Sequence, residues 1–222
     1  MKAVVILSGG LDSTVLLYDL VAQGADIKAL SFDYGQKHDK EVSFARDTCS
    51  RMGIPFTSVS LGEVGKLLQG SSSLLMESVP IPEGHYESDS MRSTVVPNRN
   101  MIMLSVAIGH CVAIGYDTVA YAAHGGDHAI YPDCRPEFVA AMGQAAGLCD
   151  WKRVAICAPY LSMRKADIVT RGIVLGVPFG DTWSCYKGGD MHCGKCGTCD
   201  ERREAFATAG VLDPTRYEEG AE

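Results

Sequence analysis

A short polar segment between a strand-like run and a helix-like run constrains this chain more than any other feature of its sequence. Residues 3–7 are continuously apolar, residues 8–13 read Ser-Gly-Gly-Leu-Asp-Ser, and residues 14–21 are mostly apolar at roughly helical spacing. Such a junction directs free backbone N–H groups and the positive end of a helix at one spot, where α/β sheets bind phosphate. The segment therefore predicts a phosphate-binding loop, with a tight turn capped by Ser or Asp as the simpler alternative.

The rest of the chain alternates between strand and helix patterns. Further strands are predicted over residues 26–32, 55–60, 118–122 and 154–158, and helices from about residues 39, 98, 136 and 162. Asn98 and Ser162 are the predicted caps of two of these helices. Because this alternation builds parallel strands with crossover helices, we expect an α/β fold with a doubly wound, mostly parallel five-stranded sheet and helices on both faces.

Several polar residues follow the predicted strands or open the predicted helices. Tyr34 and Gln36 follow the second strand, and residues 123–135, rich in His, Asp, Arg and Tyr, follow the fourth. Arg99 and Lys165 lie in first helical turns, where a cation is disfavoured unless it faces an anion. Because strand carboxyl ends line the ligand crevice of such a sheet, we expect these residues near nucleotide or substrate. The alternatives are an ordinary turn and solvated surface cations.

Residues 61–97 interrupt the alternation with stretches rich in Gly, Ser and Pro. A connection of this length in a compact domain is usually functional or disordered. We interpret it as a flap over the active site, with a dispensable surface insertion as the alternative. The predicted organisation is a sheet domain of residues 1–180 that carries the flap, followed by a knuckle and C-terminal helix in residues 181–222. The acidic tail from residue 213 is expected to be frayed.

Composition limits the classes of partner. The 222 residues carry a net charge of −7, whereas a protein that mainly grips nucleic acid usually has a basic surface, so we expect no nucleic-acid partner. No run approaches the ~18 apolar residues of a membrane helix, and the first strand leads directly into the polar loop without a signal peptide. Nine cysteines, an odd number, favour reduced thiols and metal over disulfides. We therefore expect a cytoplasmic protein with no membrane partner.

Four cysteines near the C-terminus have the spacing of a metal site. The cluster comprises Cys185, Cys193, Cys196 and Cys199. Glycines between the last three let the backbone curl around a tetrahedral Zn²⁺, and four thiolates close its coordination sphere. We therefore predict one structural Zn²⁺ per chain in a small C-terminal zinc knuckle. An iron–sulfur cluster and a redox cysteine pair can use similar spacing, and His192 lies beside the second ligand.

The polar loop resembles the pyrophosphate-binding loop of the N-type ATP pyrophosphatases, the superfamily of GMP synthetase, NAD synthetase and several tRNA-modifying enzymes. It lacks the Gly-x-x-x-x-Gly-Lys-Ser/Thr pattern of P-loop kinases and GTPases. The resemblance implies that ATP, with Mg²⁺ on its phosphates, is cleaved between the α- and β-phosphates. It makes Asp12 and Lys165 the expected catalytic residues. The implied ATP-binding residues are Leu7, Ser8, Gly9, Gly10, Leu11, Asp12, Ser13, Thr14, Val15, Leu16 and Leu17.

Together with the cysteine knuckle, four further motifs resemble the 7-cyano-7-deazaguanine synthase family of the queuosine and archaeosine pathways. They are Phe32-Asp33-Tyr34-Gly35-Gln36, Pro97-Asn98-Arg99-Asn100, Tyr131-Pro132-Asp133-Cys134-Arg135 and Arg164-Lys165-Ala166-Asp167. The motifs span nearly the whole chain. One departure is Asn98, where the family pattern has Gly before Arg-Asn.

The family resemblance implies a ligase that converts 7-carboxy-7-deazaguanine and ammonia to 7-cyano-7-deazaguanine through an adenylated intermediate. The implied substrate-binding residues are Tyr34, Arg99, Asn100, Tyr131, Asp133, Arg135 and Thr182. In this interpretation Arg99 and Arg135 are the candidates to grip the substrate carboxylate, because arginine can form two parallel bonds to it. Asp133 would accept from the guanine-like ring edge. A second copy of the chain is a candidate partner, since several relatives form homodimers.

Two other functional classes stay open at this point. A tRNA-thiolating ATP pyrophosphatase would share the loop, but typically needs reactive cysteines outside the knuckle and a basic RNA-binding appendage. Neither feature is visible in the sequence, although Cys134 lies in the polar segment of residues 123–135. A zinc-dependent DNA-binding regulator would explain the knuckle, but it leaves residues 8–13 without a role.

Overall fold

Five short strands form the sheet at the centre of the molecule. They are β1 (Lys2–Ile6), β2 (Asp26–Asp33), β3 (Phe56–Ser60), β4 (Thr118–Ala120) and β5 (Ala155–Cys157). The computed structural model describes residues 1–37, 40–76 and 78–220. The strand order is β3-β2-β1-β4-β5, and every neighbouring pair is parallel, which confirms the predicted five-stranded parallel sheet.

Helices cover both faces of this sheet, as predicted for a doubly wound fold. They are α1 (Leu11–Ala22), α2 (Lys40–Met52), α3 (Gly62–Leu67), α4 (Arg99–Ala113), α5 (Pro136–Leu148), α6 (Lys165–Val174) and α7 (Gly197–Thr208). Apolar side chains of α1, α2, α6 and α7 pack with Val5 and Ala29 on one face. Those of α4 and α5 pack with Val4 and Leu30 on the other face, because successive strand residues point to opposite sides. The predicted helix start at residue 39 lies outside the described residues.

The position of β1 determines where ligands can bind. Val5 pairs with Ala29 of β2 on one side and with Ala120 of β4 on the other. The chain therefore builds outward from β1 in one direction and returns later to build in the other. Such a reversal of strand order opens a crevice at the carboxyl ends of the strands. The segments that follow β1, β2 and β4 meet there.

Residues 61–97 and the C-terminal knuckle share a small core of their own. Leu74, Leu75, Ile81 and Val96 pack with Trp183 and the four knuckle cysteines. Glu83 forms an antiparallel β-bridge with Cys196. The segment contains α3 and a 3-10 helix over Asp89–Thr94. Its movement as a flap and the division of the chain after residue 180 stay predictions.

Two helix starts show how local chemistry sets the boundaries. Asn98 occupies the N-cap position of α4 as predicted, but its side chain makes no capping hydrogen bond. It is the one non-glycine residue with positive φ, +60°, in the described part of the chain. That conformation explains why Gly suits this position in the family pattern. The predicted Ser162 cap is wrong: α6 starts later, with Arg164 as its cap, because the Asp167 carboxylate accepts the Arg164 N–H at 2.9 Å.

The expectation of a frayed tail from residue 213 is also wrong for the residues described, which extend to residue 220. Asp213 forms an ion pair with the buried Arg202 at 3.2 Å and accepts the Tyr217 hydroxyl at 2.6 Å. The Glu218 N–H donates to the carbonyl of His192 at 2.9 Å. These polar bonds attach the tail to the knuckle, which an acidic composition alone does not reveal.

Candidate active site

The polar loop after β1 has the geometry of an anion-binding turn. Helix α1 begins after Gly10 without a side-chain cap, so its first-turn N–H groups are available to a ligand. The Ser13 hydroxyl accepts the Ser8 N–H at 3.2 Å, and the two hydroxyl oxygens lie 3.0 Å apart. The Ser8 hydroxyl in turn accepts the Gly10 N–H at 3.2 Å. The two serines therefore hold the loop in one conformation.

Neighbouring elements clamp this loop from two sides. Gly9 has a φ of +89°, and a Cβ atom there would lie only 2.1 Å from the carbonyl oxygen of Glu41 in the first turn of α2. The Gly9 carbonyl accepts the Trp183 N–H at 3.0 Å, from the segment that leads into the knuckle. The loop therefore depends on close approach to α2 and to the knuckle, and only glycine allows the first of these contacts.

A cavity of ≈ 250 Å³ opens beside the loop at the strand carboxyl ends. Its lining combines the loop with residues from distant parts of the chain. These include Ser31, Tyr34, Gln36, Glu41, Tyr86, Arg99, Asn100, Tyr121, Asp127, Tyr131, Cys134, Lys165, Ser184 and Tyr186. Apart from Lys37, which donates to the Val79 carbonyl, its charged side chains belong to two groups, one around Lys165 and one around Arg99.

The Lys165 group consists of Lys165, Asp12, His124, Asp127 and Glu201. The Lys165 ammonium lies 3.4 Å from an Asp12 oxygen and also pairs with Glu201. The His124 ring nitrogen Nε2 lies 3.9 Å from Asp12 and 3.5 Å from Asp127. Three carboxylates therefore surround one lysine. The Oδ1 atom of Asp12 is buried and has no hydrogen-bond partner within the described ranges.

Electrostatics keeps the central pair of this group ionised. Burial would raise the pKa of Asp12, but the charges of Lys165 and His124 and the hydrogen bonds to this carboxylate together hold that pKa below its ordinary value. Burial would likewise lower the pKa of Lys165, yet Asp12 and Glu201 raise it instead. Glu201 behaves differently, because burial raises the pKa of its carboxyl group despite the lysine. Lys165 therefore presents a positive charge beside the loop at neutral pH.

The Arg99 group consists of Arg99, Glu41, Tyr34, Tyr131 and Tyr186. The Arg99 guanidinium donates to the Tyr34 hydroxyl at 3.4 Å and lies 5.8 Å from the centre of the Tyr131 ring. The Tyr131 and Tyr186 hydroxyls lie 3.1 Å apart. Burial raises the pKa of Glu41 to about 7, against the lowering effect of Arg99. No carboxylate in the described part of the chain lies within 4.0 Å of the guanidinium, so this partly buried cation is available to a ligand.

Four of the predicted substrate residues have structural partners elsewhere. Asp133 accepts the Asn100 N–H at 3.0 Å, at the start of α4. Arg135 is exposed and donates to a backbone carbonyl at 2.9 Å. Thr182 accepts from a buried arginine at 2.8 Å. Asn100 lines the cavity but the other three do not, and substrate contacts of all four stay predictions.

Several residues that line the cavity or contact its charged groups were not predicted from the sequence. His124 and Asp127 lie in the polar segment of residues 123–135, which pointed to the region without singling them out. Glu41 is an acidic residue in a first helical turn, where such residues are common, so it carries no signal. Glu201 comes two residues after the last knuckle cysteine and reaches Lys165 only through the fold. The Cys134 thiol also lines the cavity, but burial raises its pKa, so it is a poor nucleophile.

The four knuckle cysteines meet the requirements of a metal site. All four thiols are buried and free, and their sulfur atoms lie within 4.8 Å of one another. The Cys185 and Cys193 sulfurs accept backbone N–H groups at 3.3–3.4 Å, which would orient them as ligands. His192 instead accepts the Ser184 N–H at 3.0 Å. The set fits four-coordinate zinc.

Comparison with solved structures supports the fold. The structure of NMN synthetase from Francisella tularensis matches with a TM-score of 0.57 at 14% identity, covering 95% of this chain and 78% of that one. A 4-thiouridine synthetase in complex with RNA and ATP matches with a TM-score of 0.52 at 16% identity, covering 96% of this chain and 52% of that one. At such identities the likeness concerns the fold alone.

Sequence comparison is more specific. The family model described as "Queuosine biosynthesis protein QueC" matches residues 2–210. The 7-cyano-7-deazaguanine synthase of Methanoregula boonei is 54% identical over 218 residues, covering 98% of this chain and 100% of the relative. That of Agrobacterium fabrum is 52% identical over 221 residues, covering 99% of this chain and 93% of the relative. With the match extending over the sheet, the cavity and the knuckle alike, the chain belongs to the QueC family of queuosine biosynthesis proteins.

Proposed function

We propose that this chain is a 7-cyano-7-deazaguanine synthase, an ATP-dependent ligase that converts 7-carboxy-7-deazaguanine and ammonia to the nitrile. The observation that carries the proposal is that one cavity is lined by the loop after β1 and by two partly buried cations, Lys165 and Arg99. A loop for phosphate and a second polar group for a planar, guanine-like substrate are the two requirements of the reaction. Relatives that share about half of the sequence carry this name.

We assign ATP to the loop and to the Lys165 group. First-turn N–H groups of α1 and the Ser8 and Ser13 hydroxyls supply hydrogen-bond donors for the phosphates. Lys165 would exchange its contact with Asp12 for the phosphate charge. The unpartnered buried oxygen of Asp12 fits a cation, and Mg²⁺ held there would neutralise phosphate charge. Residues 7–17 are thus the proposed nucleotide site.

In the proposed reaction the substrate carboxylate attacks the α-phosphorus of ATP and expels pyrophosphate. Ammonia then attacks the carbonyl carbon of the acyl adenylate, AMP leaves, and an amide forms after loss of a proton. In the second activation the amide oxygen attacks the α-phosphorus of ATP and expels pyrophosphate, and AMP then leaves with that oxygen while two protons are lost, which gives the nitrile. The chain contributes positioning and stabilisation of negative charge, chiefly through Lys165 and the α1 N-terminus.

The knuckle has a supporting role in this proposal. Zn²⁺ held by Cys185, Cys193, Cys196 and Cys199 would have a closed coordination sphere, with no position for water chemistry. The residues just before Cys185 include Trp183, whose N–H bonds the Gly9 carbonyl. The metal site would therefore stabilise the loop conformation from outside the cavity.

The proposal includes the setting of the enzyme. Nine cysteines with no disulfide among those described fit a reducing compartment, so we propose the cytoplasm. Within the described ranges, no helix combines the length and apolar character needed to cross a membrane. The net charge of −7 argues against a nucleic-acid partner. A homodimer is proposed from the family resemblance, and light scattering tests it.

Product analysis tests the function directly. The purified protein is incubated with 7-carboxy-7-deazaguanine, ATP, Mg²⁺ and ammonia, and the products are identified by mass spectrometry. We expect the nitrile, and we expect Ser13→Ala to lower turnover by about 10²–10³, the usual loss for one preorganised donor. Ser43→Ala is the matched control, because Ser43 is exposed on α2 and bonds only the carbonyl of Lys40. ATP-dependent thiolation of tRNA without any nitrile would refute the proposal.

A further inference from the structure

The carboxyl group of Glu41 lies in the cavity without a partner. Glu41 belongs to the first turn of α2, and the contact between its backbone carbonyl and Gly9 fixes that turn against the loop. Its side chain lines the cavity and is partly buried. Within the described residues no group donates a hydrogen bond to this carboxyl or forms an ion pair with it. The charge that influences its pKa is that of Arg99.

Two further polar groups in this cavity lack a hydrogen-bond partner among the described residues. The hydroxyls of Ser31 and Tyr121 also line the cavity, are 1% and 5% exposed as residues, and have no hydrogen-bond partner in the described part of the chain. Buried polar groups are normally paired, because leaving one unpaired costs free energy. Several unpaired groups that line one cavity indicate a polar ligand that satisfies them.

Glu41 and Arg99 both line the cavity, and together they determine what kind of ligand edge fits. A carboxylate accepts two N–H donors, and the neighbouring guanidinium donates to an oxygen. A guanine-like ring edge offers this complement, with an amino group, a ring N–H and a carbonyl oxygen in a row. An adenine-like edge has its amino group where the guanine-like edge has its oxygen, so it would direct a donor at the guanidinium. The charges of the carboxylate and the guanidinium cancel, so the two groups together suit a ring edge with no net charge.

We propose that Glu41 and Arg99 together recognise the guanine-like edge of the substrate. Glu41 accepts from the ring N–H and the amino group, and Arg99 donates to the ring oxygen. This assignment rests on the proposed function. It replaces two expectations from the sequence, because Asp133 already accepts the Asn100 N–H outside the cavity lining. A substrate carboxylate at Arg99 would also be repelled by Glu41. That carboxylate instead faces the phosphate loop and Lys165, where it is activated.

Binding measurements on a pair of ligands test the assignment. Calorimetry without ATP compares 7-carboxy-7-deazaguanine with the analogue that lacks the amino group. We expect the wild-type protein to prefer the amino compound by about 10- to 100-fold, as for one hydrogen bond to a charged group. Glu41→Ala should reduce this preference to within about twofold and leave the KM for ATP unchanged. Glu41→Gln, which is nearly isosteric and keeps one acceptor, should give an intermediate preference if Glu41 reads the amino group.

Matched variants separate this inference from the proposed function. Glu63→Gln, an exposed residue on α3, should keep the wild-type preference. If Glu41→Ala and Glu41→Gln both keep the full preference, or if Asp133→Asn alone removes it, the assignment of Glu41 is overturned. The function still stands in that case, provided that the wild-type protein forms the nitrile. Failure of the wild-type protein to bind the acid overturns both.

Discussion

Arg202 and Glu41 show how differently the same chain treats its ionisable side chains. Arg202 is 1% exposed, and all its groups have partners: it binds Asp213 and donates to Thr182, Ser184 and the carbonyl of Phe179. The partly buried Glu41 has no such partners among the described residues. The first arrangement is typical of structural ion pairs and the second of ligand sites, because a group that is satisfied within the protein has nothing left to offer a ligand.

The ion pair between Arg202 and Asp213 predicts an effect on stability. Arg202→Ala should lower the free energy of unfolding by about 3–5 kcal/mol, since it leaves the Asp213 carboxylate buried without its counter-ion. Urea denaturation measures the change. Arg92→Ala, at an exposed arginine, is the control and should change the free energy by less than about 0.5 kcal/mol. A loss below about 1 kcal/mol for Arg202→Ala would contradict the buried pair.

The carboxyl group of Glu41 predicts that the stability of the protein depends on pH. Burial raises the pKa of Glu41 from 4.5 to about 7, so between these values the folded protein binds a proton more tightly than the unfolded chain. The stability that Glu41 contributes therefore falls as pH rises through this window. The side chain of Glu41→Gln cannot titrate. The free energy of unfolding of this variant, relative to that of wild type, should therefore be higher at pH 8 than at pH 5 by on the order of 1–3 kcal/mol. Denaturation of both proteins at the two pH values tests this, and an unchanged difference would argue against a buried carboxyl.

At the scale of elements, the loop after β1 is defined by what packs against it. Helix α2 approaches Gly9 from one side, and the segment before the knuckle bonds its carbonyl from the other. Gly10 is less constrained: its φ is −75°, and an added Cβ would have no neighbour nearer than 3.3 Å. The two adjacent glycines therefore serve different purposes, Gly9 for packing and Gly10 for the approach of a ligand.

This difference predicts opposite outcomes for the same substitution. Gly9→Ala should destabilise the protein by about 2–5 kcal/mol, because the methyl group overlaps the α2 backbone and φ is positive. Gly10→Ala should leave stability unchanged within about 1 kcal/mol. Thermal unfolding of both variants makes the comparison. Equal stability of the two would mean that α2 does not press on the loop.

At the scale of the whole molecule, the knuckle connects regions far apart in the chain. Its cysteines pack with residues 74–96, and Glu201 on the following helix pairs with Lys165 in the cavity. Trp183 joins it to the loop after β1. Loss of the metal should therefore affect the cavity as well as the knuckle.

A single-tryptophan reporter can detect that loss. Trp151 is fully exposed and Trp183 is 4% exposed, so Trp151→Phe leaves only the buried residue to fluoresce. In this background Cys196→Ser should lower zinc from about one per chain, shift the Trp183 emission to the red and reduce ATP turnover, because the fourth thiolate is gone. Cys149→Ser is the matched control at an exposed cysteine. Iron in elemental analysis, or full turnover without metal, would refute a structural zinc.

Local patterns in the sequence were enough to predict the features that depend on neighbouring residues. Alternating strand and helix patterns specified the parallel sheet, residues 8–13 specified a loop with free N–H groups, and cysteine spacing specified the knuckle, since each is a local geometry. The placement of carboxylates in and beside the cavity depends instead on tertiary packing. Glu201 reaches Lys165 across 36 positions. Glu41 and Arg99 line one cavity because α2 packs against Gly9 and α4 begins at the same cavity. Asp133 sits in a conspicuous motif, yet it bonds the Asn100 N–H instead. A carboxylate's role depends on which donors packing brings within about 3 Å of it, and no local pattern encodes that.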